Sequence, residues 1–175
     1  MKIKDKEFET YLSSDQIQKR VKELADRIDT DYQGKNPLFI AILNGAFIFA
    51  ADLFRQLNTL AEISFIKVSS YDQLSSTGNV KDLIGLNESL HDRDLIILED
   101  IVDSGLTMIK ILEIVQEMGP KSVEVVALLQ KPEALKVNIE IKYKGFEIPN
   151  KFVVGYGLDY DGLGRNFKDI LQLKS

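Results

Sequence analysis

Two adjacent carboxylates followed by a hydroxyl-rich turn are the residues of this chain whose types and spacing could do chemistry. Glu99 and Asp100 end an apolar run, and Asp103 stands directly before the turn Ser104-Gly-Leu-Thr107. The backbone N–H groups of such a turn, with two hydroxyls and a glycine that permits close approach, suit a phosphate group. Carboxylates repel phosphate, but they accept hydrogen bonds from sugar hydroxyls or hold a divalent cation. The pattern therefore predicts a site for a ribose 5-phosphate.

A buried strand and a helix must position this segment. Leu95 to Leu98 is a short apolar run bounded by polar residues, which is typical of a buried parallel strand. From Thr107 apolar residues recur at helical spacing until Gly119-Pro120 stops the helix. The acids and the turn thus lie where a strand meets a helix N-terminus, which is where ligands bind in open α/β sheets. The alternative interpretation of the same residues is an acidic, solvated loop.

Predicted strands alternate with predicted helices along the rest of the chain. A capping box at Ser13 precedes an amphipathic helix over residues 14 to 29, and a second helix is expected over 46 to 57. Strands are predicted over residues 37 to 43, 61 to 69, 123 to 129 and 151 to 155, with a long polar segment from 71 to about 87. The alternation implies βαβ crossovers. We therefore predict one α/β domain over residues 1–175, with a mainly parallel twisted sheet flanked by helices.

Composition excludes several classes of protein. The chain has a net charge of -5, which argues against nonspecific binding to nucleic acid or to a membrane surface. It has no cysteine and one histidine, so thiolate catalysis, disulfides and the usual zinc sites are excluded. No apolar run approaches the roughly 18 residues of a membrane span, and the N-terminal residues lack a secretory signal pattern. We therefore expect a cytoplasmic protein that binds no membrane.

The segment from Leu98 to Thr107 resembles the phosphoribosyl-diphosphate (PRPP) binding motif of the type I phosphoribosyltransferases. That motif is a hydrophobic strand, two acids, two apolar residues, Asp, Thr or Ser, Gly, any residue and Thr, and this sequence fits every position. Four other stretches are similar to the hypoxanthine-guanine branch of the family: Leu43-Asn44-Gly45, Ser70-Tyr71, Leu129-Gln-Lys131, and Lys151 to Tyr160 with Arg165 beyond. The resemblance implies the type I phosphoribosyltransferase fold, with a core over about 36–131 and a small hood from about 146–175 that the N-terminal residues join.

The resemblance also implies a function. It indicates a purine-salvage enzyme that transfers the 5-phosphoribosyl group from PRPP to hypoxanthine or guanine, giving IMP or GMP and diphosphate. Two alternatives stay open, a phosphoribosyltransferase that prefers xanthine and a PRPP-binding regulator without catalytic activity. The implied small-molecule partners are PRPP and a 6-oxopurine, and the implied cofactor is Mg²⁺. Members of the family form homodimers and homotetramers, so we expect a homo-oligomer.

The same resemblance implies roles for individual residues. The expected catalytic residues are Asp103, in the family's general-base position, and Tyr71, which would close over the reaction centre. PRPP and the nucleotide would contact Glu99, Asp100, Asp103, Ser104, Gly105, Leu106, Thr107, Leu43, Asn44, Gly45 and Arg165. The purine would contact Lys131, Lys151, Phe152, Val153 and Asp159, with Phe152 stacking on the ring and Lys151 donating to its 6-oxo group. Glu99, Asp100 and Asp159 would hold metal ions, and the peptide after Leu43 can be cis in the family.

Overall fold

The chain forms a central sheet with helices on both faces and a second, smaller sheet beside it. The computed structural model describes residues 1–68, 83–85 and 88–174. In chain order the elements are β1 (Lys2–Ile3), β2 (Lys6–Leu12), α1 (Ser14–Asp31), β3 (Leu38–Leu43), α2 (Phe47–Gln56), β4 (Glu62–Val68), β5 (Leu83–Ile84), β6 (Asp94–Val102), α3 (Leu106–Glu117), β7 (Ser122–Gln130), β8 (Tyr143–Glu147), β9 (Val153–Val154) and β10 (Ile170–Leu173).

The central sheet has the strand order β5-β4-β3-β6-β7-β8. Strands β4, β3, β6, β7 and β8 are parallel, and β5 pairs antiparallel with β4 at one edge. Strands buried on both faces read as continuous apolar runs, which is why β3 and β6 were recognisable in the sequence. The predicted α/β class with a mainly parallel sheet is confirmed.

Side chains of the central strands β3 and β6 alternate between two hydrophobic clusters on the two faces of this sheet. On one face Phe39 and Ala41 pack with the apolar stripe of α1 and with α2. On the other face Leu38 and Ile40 pack with α3. Helix α1 begins with the predicted capping box, because the Ser13 side chain accepts from the Gln16 backbone N–H while the Gln16 side chain accepts from the Ser13 backbone.

The smaller sheet brings together residues that are far apart in sequence. Its order is β1-β2-β10-β9, and β2 pairs antiparallel with β10. We call this sheet the hood. Phe8 of β2 packs there with Val154 and Leu171 in a small hydrophobic cluster of its own. The hood thus places residues 6–12 beside residues 153–173, next to the carboxyl ends of the central strands.

Three features of the strands differ from the sequence-based expectation. Strand β6 runs to Val102 rather than ending at Leu98, because Glu99 continues the ladder opposite Ala127 of β7. The main sheet also includes β8 at 143–147, beyond the predicted core. Residues 151 and 152 lie outside β9, which is only two residues long. In the part of the chain that the structure describes, no helix combines the length and apolar character needed to cross a membrane.

Candidate active site

The two adjacent acids lie inside β6 rather than in the turn after it. Glu99 and Asp100 are each only 9% exposed. The backbone N–H of Asp100 donates to Oε1 of Glu99 at 3.1 Å, and the backbone N–H of Ile101 donates to Oδ1 of Asp100 at 2.8 Å. The interpretation of these residues as a solvated loop is therefore wrong. The sheet holds both carboxylates in fixed positions at the carboxyl end of the strand.

Burial makes this pair of acids electrostatically unfavourable. Desolvation raises the pKa of Glu99 well above its usual value, and the neighbouring Asp100 carboxylate raises it further. Desolvation also raises the pKa of Asp100, although hydrogen bonds from Glu99 and from the backbone of Ile101 oppose it. A ligand with hydroxyl donors, or a divalent cation, would provide the hydrogen bonds or positive charge that offset this unfavourable burial of two carboxylates.

The predicted phosphate turn follows directly and opens α3. Gly105 adopts a left-handed conformation with φ of 78° and is the N-cap, so the N-cap residue has no side chain to cap the helix. The backbone N–H of Leu106 donates to the Ser104 hydroxyl at 3.4 Å. A helix N-terminus leaves its first N–H groups without intrahelical partners, which suits the binding of an anion. The turn is supported from behind, because the backbone N–H of Lys136 donates to the Ser104 carbonyl at 3.0 Å. A cavity of about 230 Å³ is lined by residues 99–105, Thr107 and Met108.

A second cavity of about 320 Å³ adjoins the first and shares Asp100, Ile101 and Asp103 with it. The hood and the loops at the strand ends provide the rest of its wall. Its lining residues are Gly45, Asp100, Ile101, Asp103, Lys131, Phe152, Val153, Leu158, Asp159 and Arg165. The structure thus brings most of the predicted site residues together around two connected cavities. Sequence reasoning missed Ile101 and Leu158, whose apolar side chains carry no signal of their own.

The second cavity contains a buried lysine paired with the predicted base. Lys131, at the end of β7, is 7% exposed, and its Nζ donates to Oδ2 of Asp103 at 2.7 Å. Asp103 itself is half-exposed. Lys151, in contrast, is exposed and lines neither cavity. The cavity therefore receives its ammonium group from Lys131, and the expected 6-oxo contact of Lys151 finds no support in this geometry.

Arg165 is anchored at the opposite wall by a loop of the hood. Its Nη2 pairs with Oδ1 of Asp159 at 2.7 Å, and its Nη1 donates to the carbonyl of Gly157 at 2.7 Å. The other oxygen of Asp159 accepts from the backbone N–H of Gly162 at 2.8 Å. Within the described residues no group of three or more acids or histidines is close enough to hold a metal ion. This agrees with the expectation that Asp159 would help to place a second metal ion, separate from one held by Glu99 and Asp100, and both assignments stay predictions.

The loop between β3 and α2 approaches the acids closely. The peptide bond between Leu43 and Asn44 is cis, as the resemblance implied. A Cβ built on Gly45 would overlap the carboxylate of Asp100, so only glycine lets the backbone come this near. Leu43 and the exposed Asn44 do not line either cavity, and Gly45 is the residue of this loop that does.

Phe152 lines the second cavity and packs against aromatic side chains of the hood. Its side chain is 41% exposed. The ring centroids of Phe8 and Tyr160 lie 6.3 and 5.7 Å away, and Nζ of Lys6 lies 5.6 Å from the Phe152 centroid. The supporting contacts of Phe8, Tyr160 and Lys6 were not predicted, because they depend on the tertiary packing of the hood. The predicted lid dipeptide Ser70-Tyr71 lies outside the described residues.

Comparison with known proteins agrees with this geometry. Residues 8–161 match the family described as "Phosphoribosyl transferase domain". The chain is 44% identical to a hypoxanthine-guanine phosphoribosyltransferase of Bacillus subtilis, over 93% of this chain and 91% of that protein. A crystal structure of a hypoxanthine phosphoribosyltransferase from Staphylococcus aureus superposes with a TM-score of 0.88 at 42% identity, covering 98% of this chain and 93% of that one.

A longer relative also contains this domain. The chain is 43% identical to the "Bifunctional protein TilS/HprT" of Listeria monocytogenes over 93% of its own length, but it spans only 25% of that protein. The matches cover most of this chain. Its site also combines a turn suited to phosphate, two adjacent acids and a buried lysine, and these features point to the same family as the matches. The chain belongs to the hypoxanthine-guanine phosphoribosyltransferase family.

Proposed function

We propose that this protein transfers the 5-phosphoribosyl group of PRPP to hypoxanthine or guanine in purine salvage and releases diphosphate. The observation that carries the proposal is the Lys131–Asp103 pair, which lies in a cavity beside Phe152 and next to the phosphate turn. An ammonium donor, a carboxylate acceptor and an aromatic ring are the groups that recognise a 6-oxopurine. Because the two cavities share a wall, a base bound in one would lie beside a sugar phosphate bound in the other.

The ribose phosphate would occupy the smaller cavity. The backbone N–H groups from Ser104 to Thr107 and the two hydroxyls would bind the 5-phosphate at the start of α3. Glu99 and Asp100 would accept hydrogen bonds from the ribose hydroxyls. Because both carboxylates are buried in β6, they would hold the sugar carbon at a fixed distance from the purine.

The purine would occupy the second cavity. Phe152 would stack on the ring, and Nζ of Lys131 would donate to the 6-oxo group. A lysine donor rejects adenine, because the 6-amino group of adenine is also a donor. Asp103 would accept the proton that the purine nitrogen loses on glycosylation, with Lys131 keeping the carboxylate oriented.

The diphosphate group would lie between the Gly45 loop and Arg165. The Gly45 backbone and the Arg165 guanidinium, which is held by Asp159, provide hydrogen-bond donors on the two sides. The acids of β6 fit Mg²⁺, which is commonly held by one or two carboxylates together with substrate oxygens and water. When bound, Mg²⁺ would neutralise charge on the leaving diphosphate. Asp159 is occupied by Arg165, so its role toward metal would require that pair to open.

Initial rates with PRPP and Mg²⁺ test this proposal, using hypoxanthine, guanine, xanthine and adenine separately. We expect rapid formation of IMP and GMP and no product from adenine. Product from xanthine above that from the other bases would establish the xanthine-preferring alternative. PRPP binding without product from any base would favour the regulator instead.

Replacing Asp103 by Asn is expected to lower turnover by about 10- to 100-fold while PRPP affinity stays within about twofold. The amide keeps the shape of the side chain but cannot take up the purine proton. Steady-state kinetics and calorimetric titration of PRPP measure the two quantities on the same preparation. Unchanged turnover would remove Asp103 from the role of base.

Three further elements of the proposal rest on the sequence alone. Tyr71 would close over the reaction centre and exclude water, which would otherwise hydrolyse the activated sugar. The enzyme would work in the cytoplasm. It would assemble as a homodimer or homotetramer, which sedimentation of the purified protein measures.

A further inference from the structure

A buried tyrosine joins the hood to the helix that follows the Gly45 loop. Tyr156 is fully enclosed, and its hydroxyl donates to Oδ2 of Asp52 on α2 at 2.6 Å. The same oxygen accepts from Nε2 of Gln18 on α1 at 2.6 Å. None of these three side chains lines either ligand cavity. The hydrogen bonds therefore act on the structure behind the cavity wall.

The backbone next to Tyr156 contacts two residues of that wall, Gly45 and Arg165. Gly157 has φ of 103°, and a Cβ built on it would overlap the carbonyl oxygen of Gly45. The Gly157 carbonyl accepts from Nη1 of Arg165, and its N–H donates to the Arg165 carbonyl. The segment thus contacts the Gly45 loop on one side and positions the guanidinium of Arg165 on the other.

We infer that Tyr156 and Asp52 are positioning residues that set the distance between the Gly45 loop and Arg165, and thereby the fit of the diphosphate group. Helix α2 begins two residues after Gly45, and Asp52 lies on that helix one and a half turns further on. The Tyr156–Asp52 hydrogen bond consequently ties both walls of the diphosphate site to one rigid element. This inference rests on the proposed function and assigns it two residues that touch no substrate.

The variant Tyr156→Phe tests the inference, because it keeps the buried ring and removes only the hydroxyl. We expect the KM for PRPP to rise about tenfold, while the KM for hypoxanthine changes less than about threefold, since a small displacement of binding groups is costly. Asp52→Ala should behave like Tyr156→Phe. Asp52→Asn keeps an acceptor for the tyrosine and should retain nearly the wild-type KM for PRPP.

Tyr143→Phe is the matched control. Tyr143 is also buried, and its hydroxyl donates to Oδ2 of Asp31 at the same 2.6 Å. It lies at the amino end of β8, far from the cavities. Both variants lose one partly buried Tyr–Asp hydrogen bond, so both should lower the melting temperature, but only Tyr156→Phe should change the KM for PRPP. Equal kinetic losses in the two variants, or wild-type kinetics in Tyr156→Phe, would overturn the inference.

Titration with inorganic diphosphate and Mg²⁺ separates this inference from the proposed function. The measurement needs no turnover, so it applies even if the wild-type protein forms no nucleotide. We expect the Kd for diphosphate to rise about tenfold in Tyr156→Phe and to stay at the wild-type value in Tyr143→Phe. Unchanged diphosphate affinity in Tyr156→Phe would contradict the positioning role whatever the outcome of the nucleotide assay.

Discussion

The double variant Glu99→Gln with Asp100→Asn is expected to lose PRPP affinity by at least about 100-fold and yet to unfold at the same temperature as the wild type or higher. The loss follows because hydrogen bonds to charged groups contribute roughly 1.5–3 kcal/mol each, and two carboxylates are removed. The retained stability follows because the two buried acids repel each other and are poorly solvated in the empty protein. Calorimetric titration and thermal unfolding measure both quantities.

The pH dependence of the wild-type stability provides a second measure of the same effect. Both folded pKa values lie above the ordinary values of 4.5 for Glu99 and 3.8 for Asp100. At a pH below these ordinary values both carboxyls are protonated in the folded and the unfolded states, so neither group lowers the stability of the folded state. As the pH rises, the unfolded chain ionises first, and the folded state loses stability until its own raised pKa values are passed. In Mg²⁺-free buffer the stability advantage of the double variant should therefore be larger at neutral pH than below pH 4.

Asp94→Asn is the control for the double variant, because Asp94 lies at the other end of the same strand. Its carboxylate accepts from the Ser122 hydroxyl at 2.6 Å, away from the cavities. PRPP affinity should stay within about twofold of the wild type. If the double variant retains wild-type PRPP affinity, the assignment of Glu99 and Asp100 to the ribose is wrong.

Replacing Lys131 by Met is expected to lower kcat/KM for hypoxanthine by about 100-fold and to weaken the discrimination against adenine. Met has a similar volume and no donor, so the 6-oxo group would be desolvated without a partner. The buried ammonium would be replaced by an apolar group, which keeps the protein folded. Steady-state kinetics with both bases at saturating PRPP measure the change.

Lys151→Met is the matched control, because both lysines were predicted to contact the purine and only one lines the cavity. We expect kcat/KM of Lys151→Met to stay within about threefold of the wild type, since the side chain is exposed. A larger loss in Lys151→Met than in Lys131→Met would return the 6-oxo contact to Lys151.

These two lysines illustrate which parts of the site could be predicted from the sequence and which could not. Local patterns predicted the central sheet, the acids and the phosphate turn, because strand β6 and helix α3 are consecutive and strongly apolar. The resemblance was taken to imply that Lys151, next to Phe152 in the sequence, makes the 6-oxo contact. Lys131 is buried only because β7 lies beside β6 and brings its end next to Asp103. That proximity depends on the pairing of strands and not on any local pattern.

The hood was predicted from the resemblance, over about 146–175 with the N-terminal residues, and not from local patterns. Strand β9 lies inside the predicted strand 151–155, whereas β10 has four residues, too few to show a periodic pattern. The ring contact between Phe8 and Phe152 joins residues that are far apart in the chain. The positioning pair Tyr156 and Asp52 likewise connects segments separated by more than half of the sequence. Such contacts leave no signal in a single sequence.

The pairing of β2 with β10 has a consequence for the order in which the two cavities can form while the chain is being synthesised. All strands of the central sheet, together with the phosphate turn, are contained in residues 38–147, whereas β10 emerges from the ribosome later. Closing the long chain segment between β2 and β10 costs conformational entropy that only the finished hood recovers. A nascent chain would therefore possess the turn suited to phosphate, and Lys131, before Phe152 and Val153 complete the wall of the second cavity.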